Sequence, residues 1–270
     1  MTAGRKALVY IPLVLAGIAF MFPFVVMVLG SFKKLDVALA DPSFWIPDRP
    51  TWYNYGYIFN SGSMMRWLFN SLVITLVPVA TQMFFAGVLG YIFAKKQFRF
   101  KETFFWCFMA MVMIPNQMLI IPKYIMFSKM HWINTYSAII VPELWAIMGV
   151  FLVRQFMQTI PKDLEEAAYL DGAGDFKILF RLMVPLAKPA LATVGTFAFI
   201  SCWNDLFTPL IFTTSEKMFP LTVGLASLLT KEGNFGFEMA GAVISFVPTF
   251  LIFLFFQRYF TEGITMSGLK

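Results

Sequence analysis

Two carboxylates inserted into apolar stretches are the first residues whose chemistry needs an explanation. Glu143 and Asp205 are each the single charged residue of a long apolar run, and Asp205 directly follows Trp203 and Asn204. If these runs cross a bilayer, each charge costs about 2.5–3.5 kcal/mol on insertion scales, so neither side chain is expected to face lipid. Two interpretations stay open. The side chains hydrogen-bond a polar solute along a hydrated path, with Trp203 as a stacking face, or they clamp neighbouring helices together.

The remaining reactive residue types give little support to catalysis. Paired carboxylates can act as general acid and base, but the sequence has no H-E-x-x-H or G-x-S-x-G motif and no cluster of metal ligands. The single histidine, His131, lies in a loop beside Trp132. Cys107 and Cys202 lie in apolar runs, where we expect small, inert packing residues. The sequence therefore predicts no enzyme, no metal site and no cofactor bound by this chain.

A charged segment, residues 154–188, separates two of the apolar runs. It holds five of the fifteen acidic residues and five basic residues. A proline followed by three acidic residues predicts a helix that begins near Asp163. Gly172 suits the left-handed position that commonly closes a helix. This segment is therefore expected to fold as a short helix that ends in a glycine turn.

A second short helix is predicted after that turn. Apolar residues recur at the spacing i, i+3, i+4, i+7, which predicts one apolar helix face formed by Phe176, Leu179, Phe180 and Met183. Two interpretations of the whole element remain open. It lies on the lipid headgroups, or it docks a cytoplasmic partner, which the small side chains of Ala167 and Ala168 would allow to approach closely.

The elements that must position these residues are membrane helices. The 270 residues are 59% hydrophobic and 13% charged, whereas soluble domains carry about 25% charged residues. A helix needs about 20 apolar residues to cross a bilayer. Six stretches qualify, at approximately residues 8–31, 68–93, 103–122, 137–153, 190–213 and 239–257. We therefore predict an all-α integral membrane protein with six transmembrane helices, in one domain over residues 1–270.

The distribution of basic residues predicts the orientation of these helices. Of the 21 Lys and Arg residues, 13 lie on the side that holds both termini and the segment 154–188. Basic residues near the ends of membrane helices stay on the cytoplasmic side, so both termini and this segment are expected to be cytoplasmic. The net charge of +6 is then attributed to this bias and to anionic lipid rather than to nucleic-acid binding.

Proline lies in or at the edge of every predicted span and predicts kinked helices. Membrane helices tolerate proline in general, and the alternative is a bundle that opens and closes around a cavity. The segment 218–229 is apolar but lies between spans. It either folds back toward such a cavity as a short helix, bringing Gly224 near a solute, or packs on the outer side of the bundle.

The charged segment carries a family resemblance. Glu166-Ala167-Ala168, three residues, Gly172, nine residues and Leu182-Met183-Val184-Pro185 resemble the EAA loop of ATP-binding-cassette importer permeases, E-A-A-x3-G-x9-I-x-L-P. Other segments resemble the carbohydrate branch of that family, the maltose-permease-like subunits. These are Asn70-Ser71-Leu72, Ile133-Asn134-Thr135-Tyr136, Trp203-Asn204-Asp205, Leu221-Thr222-Val223-Gly224-Leu225 and Gln257-Arg258-Tyr259-Phe260. The resemblance covers nearly the whole chain.

This resemblance implies a subunit of a sugar importer in the bacterial inner membrane. The expected partners are a second, homologous permease, two copies of a cytoplasmic ATPase that uses ATP and Mg²⁺, and an extracytoplasmic solute-binding protein. The sequence lacks the G-x-x-x-x-G-K-[ST] loop that cradles nucleotide phosphates, so the energy must come from a partner. Two alternatives are an importer of another solute, such as a glycerol phosphodiester, and a membrane-embedded enzyme.

The resemblance and the intramembrane polar residues together give two sets of candidate site residues. The residues expected to couple the chain to the ATPase are Glu166, Ala167, Ala168, Gly172, Leu182 and Pro185. The candidates for the translocation path are Trp203, Asn204, Asp205, Glu143 and Gly224.

Overall fold

The described part of the chain is helical, as predicted. The computed structural model describes residues 3–33, 47, 49–61, 63–232 and 234–267. The long helices are α1 (Ala3–Ser31), α3 (Met64–Lys95), α11 (Lys188–Asn204) and α14 (Phe235–Ser267). The other helices are α2 (Tyr53–Asn60), α4 (Lys101–Ala110), α5 (Ile120–Lys129), α6 (Tyr136–Ile140), α7 (Ile147–Thr159), α8 (Asp163–Leu170), α9 (Asp175–Ile178), α10 (Val184–Leu186), α12 (Phe207–Phe212) and α13 (Leu221–Glu232).

Four segments in the described residues are long and apolar enough to cross a membrane, and two bent helix pairs raise the number to six if each pair is one span. The four segments are Tyr10–Ser31, Met64–Lys95, Tyr136–Thr159 and Phe235–Tyr259. The bent pairs are Lys101–Met113 with Asn116–Lys129, at 81°, and Asp175–Leu186 with Lys188–Asn204, at 76°. The predicted spans 8–31, 68–93 and 239–257 each lie inside one continuous helix.

The predicted span 103–122 differs from the structure because its helix breaks at Pro115. Proline has no N–H and disfavours helical geometry in the residue before it. Ile114 accordingly has extended backbone angles, φ −86° and ψ 111°. The proline thus gives the kink that its presence predicts, and the bend of 81° is large enough to divide the span into two helices.

The predicted spans 137–153 and 190–213 are also interrupted. In the first, α6 passes through a 3₁₀ turn at Val141–Glu143 before α7 begins. In the second, α11 ends at Asn204, Asp205 has extended backbone angles, and the short helix α12 follows. Both interruptions lie at or beside one of the two intramembrane carboxylates, so each carboxylate marks a place where the helix stops.

The contacts of the chain group into two compact units. The first unit comprises Met1–Met65 and Val223–Pro248, and the second comprises Arg66–Thr222 and Thr249–Lys270. Within the first unit, the Asn54 side chain donates to the main-chain oxygens of Ser31 and Lys33, both at 2.8 Å. These bonds fasten α2 to the end of α1.

The core of the second unit lies where α3, α7 and α11 pack together. Small residues let these helices approach closely, as in many membrane helix pairs. One close approach is at Gly90, where an added Cβ would lie 2.7 Å from Val153 Cγ1 and 3.2 Å from the main-chain nitrogen of Arg154. The Arg154 guanidinium donates to both carboxylate oxygens of Glu102, at 2.8 and 2.9 Å, and thereby ties α7 to α4.

Candidate functional site

A cavity of about 780 Å³ lies within the second unit. Residues from α3, α5, α7, α11 and the connecting segments line it. Most of the lining is apolar, and the aromatic residues include Trp132 and Trp145, the latter exposed. The polar and charged lining residues are Gln82, Asn116, Lys123, Glu143 and Ser201. A mostly apolar cavity with a few polar groups is the usual form of a small-molecule site.

Glu143 is the one predicted path residue that lines this cavity. It lies at the end of the 3₁₀ turn that interrupts the fourth predicted span. Its main-chain oxygen accepts a hydrogen bond of 2.7 Å from the Gln82 side chain. Lys123 lines the same cavity. The break in the helix thus brings a carboxylate to a cavity that also holds a lysine.

Asp205 and Asn204 have mainly structural contacts. Asp205 Oδ1 accepts a 3.2 Å hydrogen bond from the Thr208 main-chain N–H, which caps the first turn of α12. The main-chain oxygen of Asp205 accepts from the Thr222 hydroxyl at 2.9 Å. Asn204 donates to the main-chain oxygen of Ile200 at 2.8 Å. Neither residue is among those that line the cavity, and these contacts favour the clamp interpretation for Asp205.

Trp203 and Gly224 are buried inside the protein. The Trp203 ring stacks on Phe199, with ring centroids 5.5 Å apart and an interplanar angle of 9°. Gly224 lies in α13, a short helix that begins at Leu221 within the segment 218–229. Neither residue lines the cavity, so their place on a translocation path stays a prediction.

The charged segment folds as predicted into a helix, a glycine turn and further helical structure. Helix α8 begins at Asp163 with three acidic residues in its first turn. Gly172 has φ +75°, the left-handed conformation that favours glycine. Its N–H donates to Tyr169 O, and the Ala173 N–H donates to Ala168 O, both at 2.9 Å. These two bonds form a Schellman motif, which satisfies carbonyls at the end of α8.

The six predicted coupling residues divide into two environments. Glu166, Ala167, Gly172 and Pro185 are exposed. Ala168 and Leu182 are partly buried and pack against the core cluster of the second unit, which includes Met157 and Met183. The exposed four are accessible to a partner, and the other two hold the loop against the membrane helices.

The prediction of one apolar face after the turn is wrong in part. Leu179 and Met183 are buried, but Phe176 is 81% exposed and Phe180 is also exposed. The reason is a π-helical turn at Leu179–Met183, which holds more residues per turn and shifts the faces of the helix. The exposed side of this loop therefore carries a large aromatic ring, and Leu170 at the end of α8 is 89% exposed.

Several residues of both regions carry little or no signal in the sequence. Gln82, Lys123 and Trp145 line the cavity, and only Gln82 carried a local signal, as an amide inside an apolar run. Lys123 lies next to the predicted end of the third span, on the side opposite the termini, so the sequence does not indicate a place in a cavity for it. Leu170 carried no signal because its exposure depends on how α8 is held.

Membrane-length helices, broken helices and a partly polar cavity within one unit are together typical of a membrane transport protein. Known proteins agree with this class. Residues 86–266 match the family described as the binding-protein-dependent transport system inner membrane component, and the chain belongs to that family. It is a multi-pass membrane protein and a transport subunit rather than an enzyme, as predicted.

Relatives and solved structures match nearly the whole chain. The arabinooligosaccharides transport system permease protein AraQ of Halalkalibacterium halodurans is 36% identical over 253 residues, which are 92% of this chain and 91% of that protein. A bacterial ABC transporter involved in the import of alginate contains a chain with a TM-score of 0.80 and 22% identity, over 96% of this chain and 99% of that one. An alginate transporter in complex with a pentasaccharide-bound periplasmic protein gives a TM-score of 0.61 and 14% identity, over 93% of each chain. The resemblance to the carbohydrate branch is thereby confirmed, and the two structures show the fold.

Proposed function

We propose that this chain is one permease subunit of an ATP-driven importer that receives oligosaccharides from a solute-binding protein. The observation that carries the proposal is the cavity, whose lining combines exposed aromatic surface at Trp145 with a carboxylate, a lysine and amides. Sugar hydroxyls need hydrogen-bond acceptors and donors, and the apolar faces of sugar rings pack on aromatic rings. The name of the AraQ relative supports the same substrate class.

Coupling to a cytoplasmic ATPase is the second part of the proposal. Exposed apolar patches rimmed by polar residues mark protein interaction sites. Leu170 and Phe176 are large, exposed apolar side chains of this charged loop, which also holds the exposed Glu166 and Ala167. We infer that this surface enters a groove of the ATPase and that closure of the ATPase dimer moves α8. The membrane helices then alternate between outward-open and inward-open packings, a rigid-body change between two states.

The proposed assembly places both termini and the loop 154–188 in the cytoplasm. It contains a second, homologous permease, two ATPase subunits that bind ATP with Mg²⁺, and an extracytoplasmic binding protein. The orientation is checked by labelling single cysteines introduced at exposed loop positions with a membrane-impermeant maleimide. Labelling of Leu170→Cys from the outside of intact cells would contradict it.

Reconstituted vesicles test the substrate class. The complete complex is supplied with its binding protein and a panel of mono- and oligosaccharides, and sugar uptake and ATP hydrolysis are both measured. We expect at least one oligosaccharide to stimulate both, and Glu143→Gln to change the order of preference while the complex still assembles. Stimulation by no sugar of the panel would remove carbohydrate from the proposal.

A glycine substitution tests docking. Proline requires φ near −65°, so Gly172→Pro is incompatible with the observed +75° and should misplace α8. The matched control is Gly174→Pro, because Gly174 has φ −78°. We expect Gly172→Pro to abolish co-purification of the ATPase or its stimulation while membrane insertion is retained, and Gly174→Pro to have a smaller effect. Normal transport by the Gly172→Pro complex would overturn the docking claim.

A further inference from the structure

The end of α3 contacts the loop 154–188 through five polar side chains that lie outside the cavity. This polar cluster consists of Tyr91, Lys96, Glu165, Tyr169 and Asp175. The first two belong to α3 and the residue that follows its end, and the other three belong to α8 and the start of α9. All five lie in the second unit. None of them is among the residues that match the EAA pattern.

Lys96 is the centre of the polar cluster. Its Nζ donates to Asp175 Oδ1 at 2.8 Å and lies 3.6 Å from Glu165 Oε1. It also hydrogen-bonds the Tyr169 hydroxyl. The ammonium lies 4.9 Å from the ring centroid of Tyr91 and 5.1 Å from that of Tyr169, within the range of cation–π attraction. One cation therefore connects two carboxylates and two tyrosines that belong to three helical segments.

The cluster also separates two adjacent glutamates. Glu165 is only 7% exposed and accepts a 2.8 Å hydrogen bond from the buried Tyr91 hydroxyl. Its neighbour Glu166 is exposed. Glu165 thus contacts the permease's own helix, whereas Glu166 lies on the surface proposed to meet the ATPase. Glu165 and Glu166 lie in the same turn of α8. A force that the ATPase applies at Glu166 would therefore act one residue away from the contact with α3.

Contacts from α3 extend along the whole of α8. The Lys95 ammonium donates to the main-chain oxygen of Ile160, which precedes α8. Glu165 lies in its first turn, Tyr169 in its last turn, and Asp175 begins α9. A short helix that is held before, within and after its length cannot pivot about one contact. It is constrained to move with the helix that holds it.

We propose that the polar cluster fastens α8 to α3, so that the two helices move as one body, and that Lys96 is the positioning residue for this coupling. The inference rests on the proposed docking of the ATPase to α8 and adds the route by which its movement reaches the membrane. Removing the cation would leave Glu165 and Asp175 as neighbouring like charges and would remove the ion-pair partner of the buried Glu165, which is costly. The end of α8 would then be free to move without α3.

The charge states support this arrangement at physiological pH. Burial alone lowers the pKa of Lys96, but its hydrogen bonds to Asp175 and Tyr169 outweigh that effect and raise the pKa above its ordinary value of 10.5. The hydrogen bond from Lys96 holds the pKa of the Asp175 carboxyl below its ordinary value of 3.8. Lys96 and Asp175 are therefore both charged at physiological pH.

The test compares three variants of the complete complex in vesicles. Lys96→Met removes the charge but keeps an unbranched side chain, and Lys96→Arg keeps the charge. Arg99→Met is the control, because it removes a charge from an exposed position in the short segment that joins α3 to α4. The measured quantity is ATP hydrolysis with sugar-loaded binding protein divided by basal hydrolysis. We expect Lys96→Met to lower this ratio about fivefold, at the low end of typical coupling between sites. Lys96→Arg should retain most of the ratio, and Arg99→Met should match the wild type.

The outcomes distinguish a failure of this inference from a failure of the proposed function. An unchanged ratio in an assembled Lys96→Met complex, or an equal loss in Arg99→Met, overturns the role of the polar cluster and leaves docking and transport standing. A wild-type complex that no sugar stimulates overturns the proposed function itself. If Lys96→Met lowers the yield of complex, Asp175→Asn carries the test, because Asp175 is exposed, and it should lower the same ratio; an unchanged ratio would contradict the role of the cluster. Where the Lys96→Met complex assembles, adding Asp175→Asn should cause no further loss, and additive losses would contradict a shared contact.

Discussion

Substitution of Gly90 tests whether α3 and α7 pack as closely as the structure shows. An alanine Cβ at this position would lie 2.7 and 2.9 Å from Val153 Cγ1 and Cβ, and 3.2 Å from Arg154 N. Cβ atoms essentially never approach non-bonded heavy atoms to within 3.0 Å. The main-chain nitrogen of Arg154 cannot rotate away as a side chain can. The two helices must therefore separate locally, or α3 must bend.

The magnitude follows from two opposing effects. Alanine is favoured over glycine inside a helix by about 1 kcal/mol, whereas overpacking a well-packed core costs about 1–3 kcal/mol. Gly90→Ala should therefore lie between no change and a net loss of about 2 kcal/mol. Gly87 is the matched control, since it is buried in the same helix and an added Cβ would meet its nearest atom at an ordinary 3.6 Å. Gly87→Ala should be neutral or stabilising.

Thermal unfolding of the purified protein in one detergent measures the difference. We expect Gly90→Ala to melt below Gly87→Ala by an amount equivalent to about 1–3 kcal/mol. Val153→Ala in the Gly90→Ala background should restore part of the loss, because it removes Cγ1 but leaves Cβ and the main chain in place. Equal melting temperatures for the two alanine variants would refute the close approach of α3 and α7.

Three shorter predictions concern single polar contacts. Asp205→Ala should destabilise the protein by about 1 kcal/mol through loss of the α12 cap, whereas Asp205→Asn, whose amide oxygen can still accept, should melt close to the wild type. The pKa of Asp175 is lowered by Lys96, so its contribution to stability is present above its ordinary pKa of 3.8 and is lost as the pH falls through the lower value in the folded protein. The melting-temperature difference between wild type and Asp175→Asn should accordingly hold from pH 5 to 8 and shrink only below pH 3.8. Arg154→Lys cannot reproduce the fork of guanidinium hydrogen bonds and should cost about 1–3 kcal/mol in thermal unfolding.

The parts of the fold that sequence could predict are those governed by local chemistry. The helices α1, α3 and α14 follow from long uninterrupted apolar runs, and α8 follows from its acidic first turn and Gly172. Proline predicts the kink at Pro115 but not its size of 81°. The break at Asp205 has no trace in hydropathy, which sums over residues and does not register a lost hydrogen bond. The π-helical turn after α9 left no periodic trace that a 3.6-residue pattern could detect.

The candidate site was less accessible to sequence reasoning because its contacts are long-range. The hydrogen bond from Gln82 to Glu143 joins residues 61 positions apart, and that from Tyr91 to Glu165 joins residues 74 apart. No spacing rule relates such positions in a single sequence. The EAA resemblance identified Glu166 and Gly172, but the pattern says nothing of Glu165, whose role depends on which side of α8 faces α3.

The two intramembrane carboxylates, which have the same chemistry in the sequence, have different physical roles in the structure. Each stands where a helix stops, since a broken helix exposes main-chain groups that need partners at membrane depth. At Asp205 the side chain itself supplies the partner, by accepting the Thr208 N–H, so its charge serves the local backbone. At Glu143 the Gln82 amide satisfies the main chain instead, and the carboxylate is left to line the cavity with Lys123. A solute in the cavity would therefore meet the Glu143 carboxylate. Asp205 would affect such a solute only indirectly, through the helix ends that Asp205 holds in place.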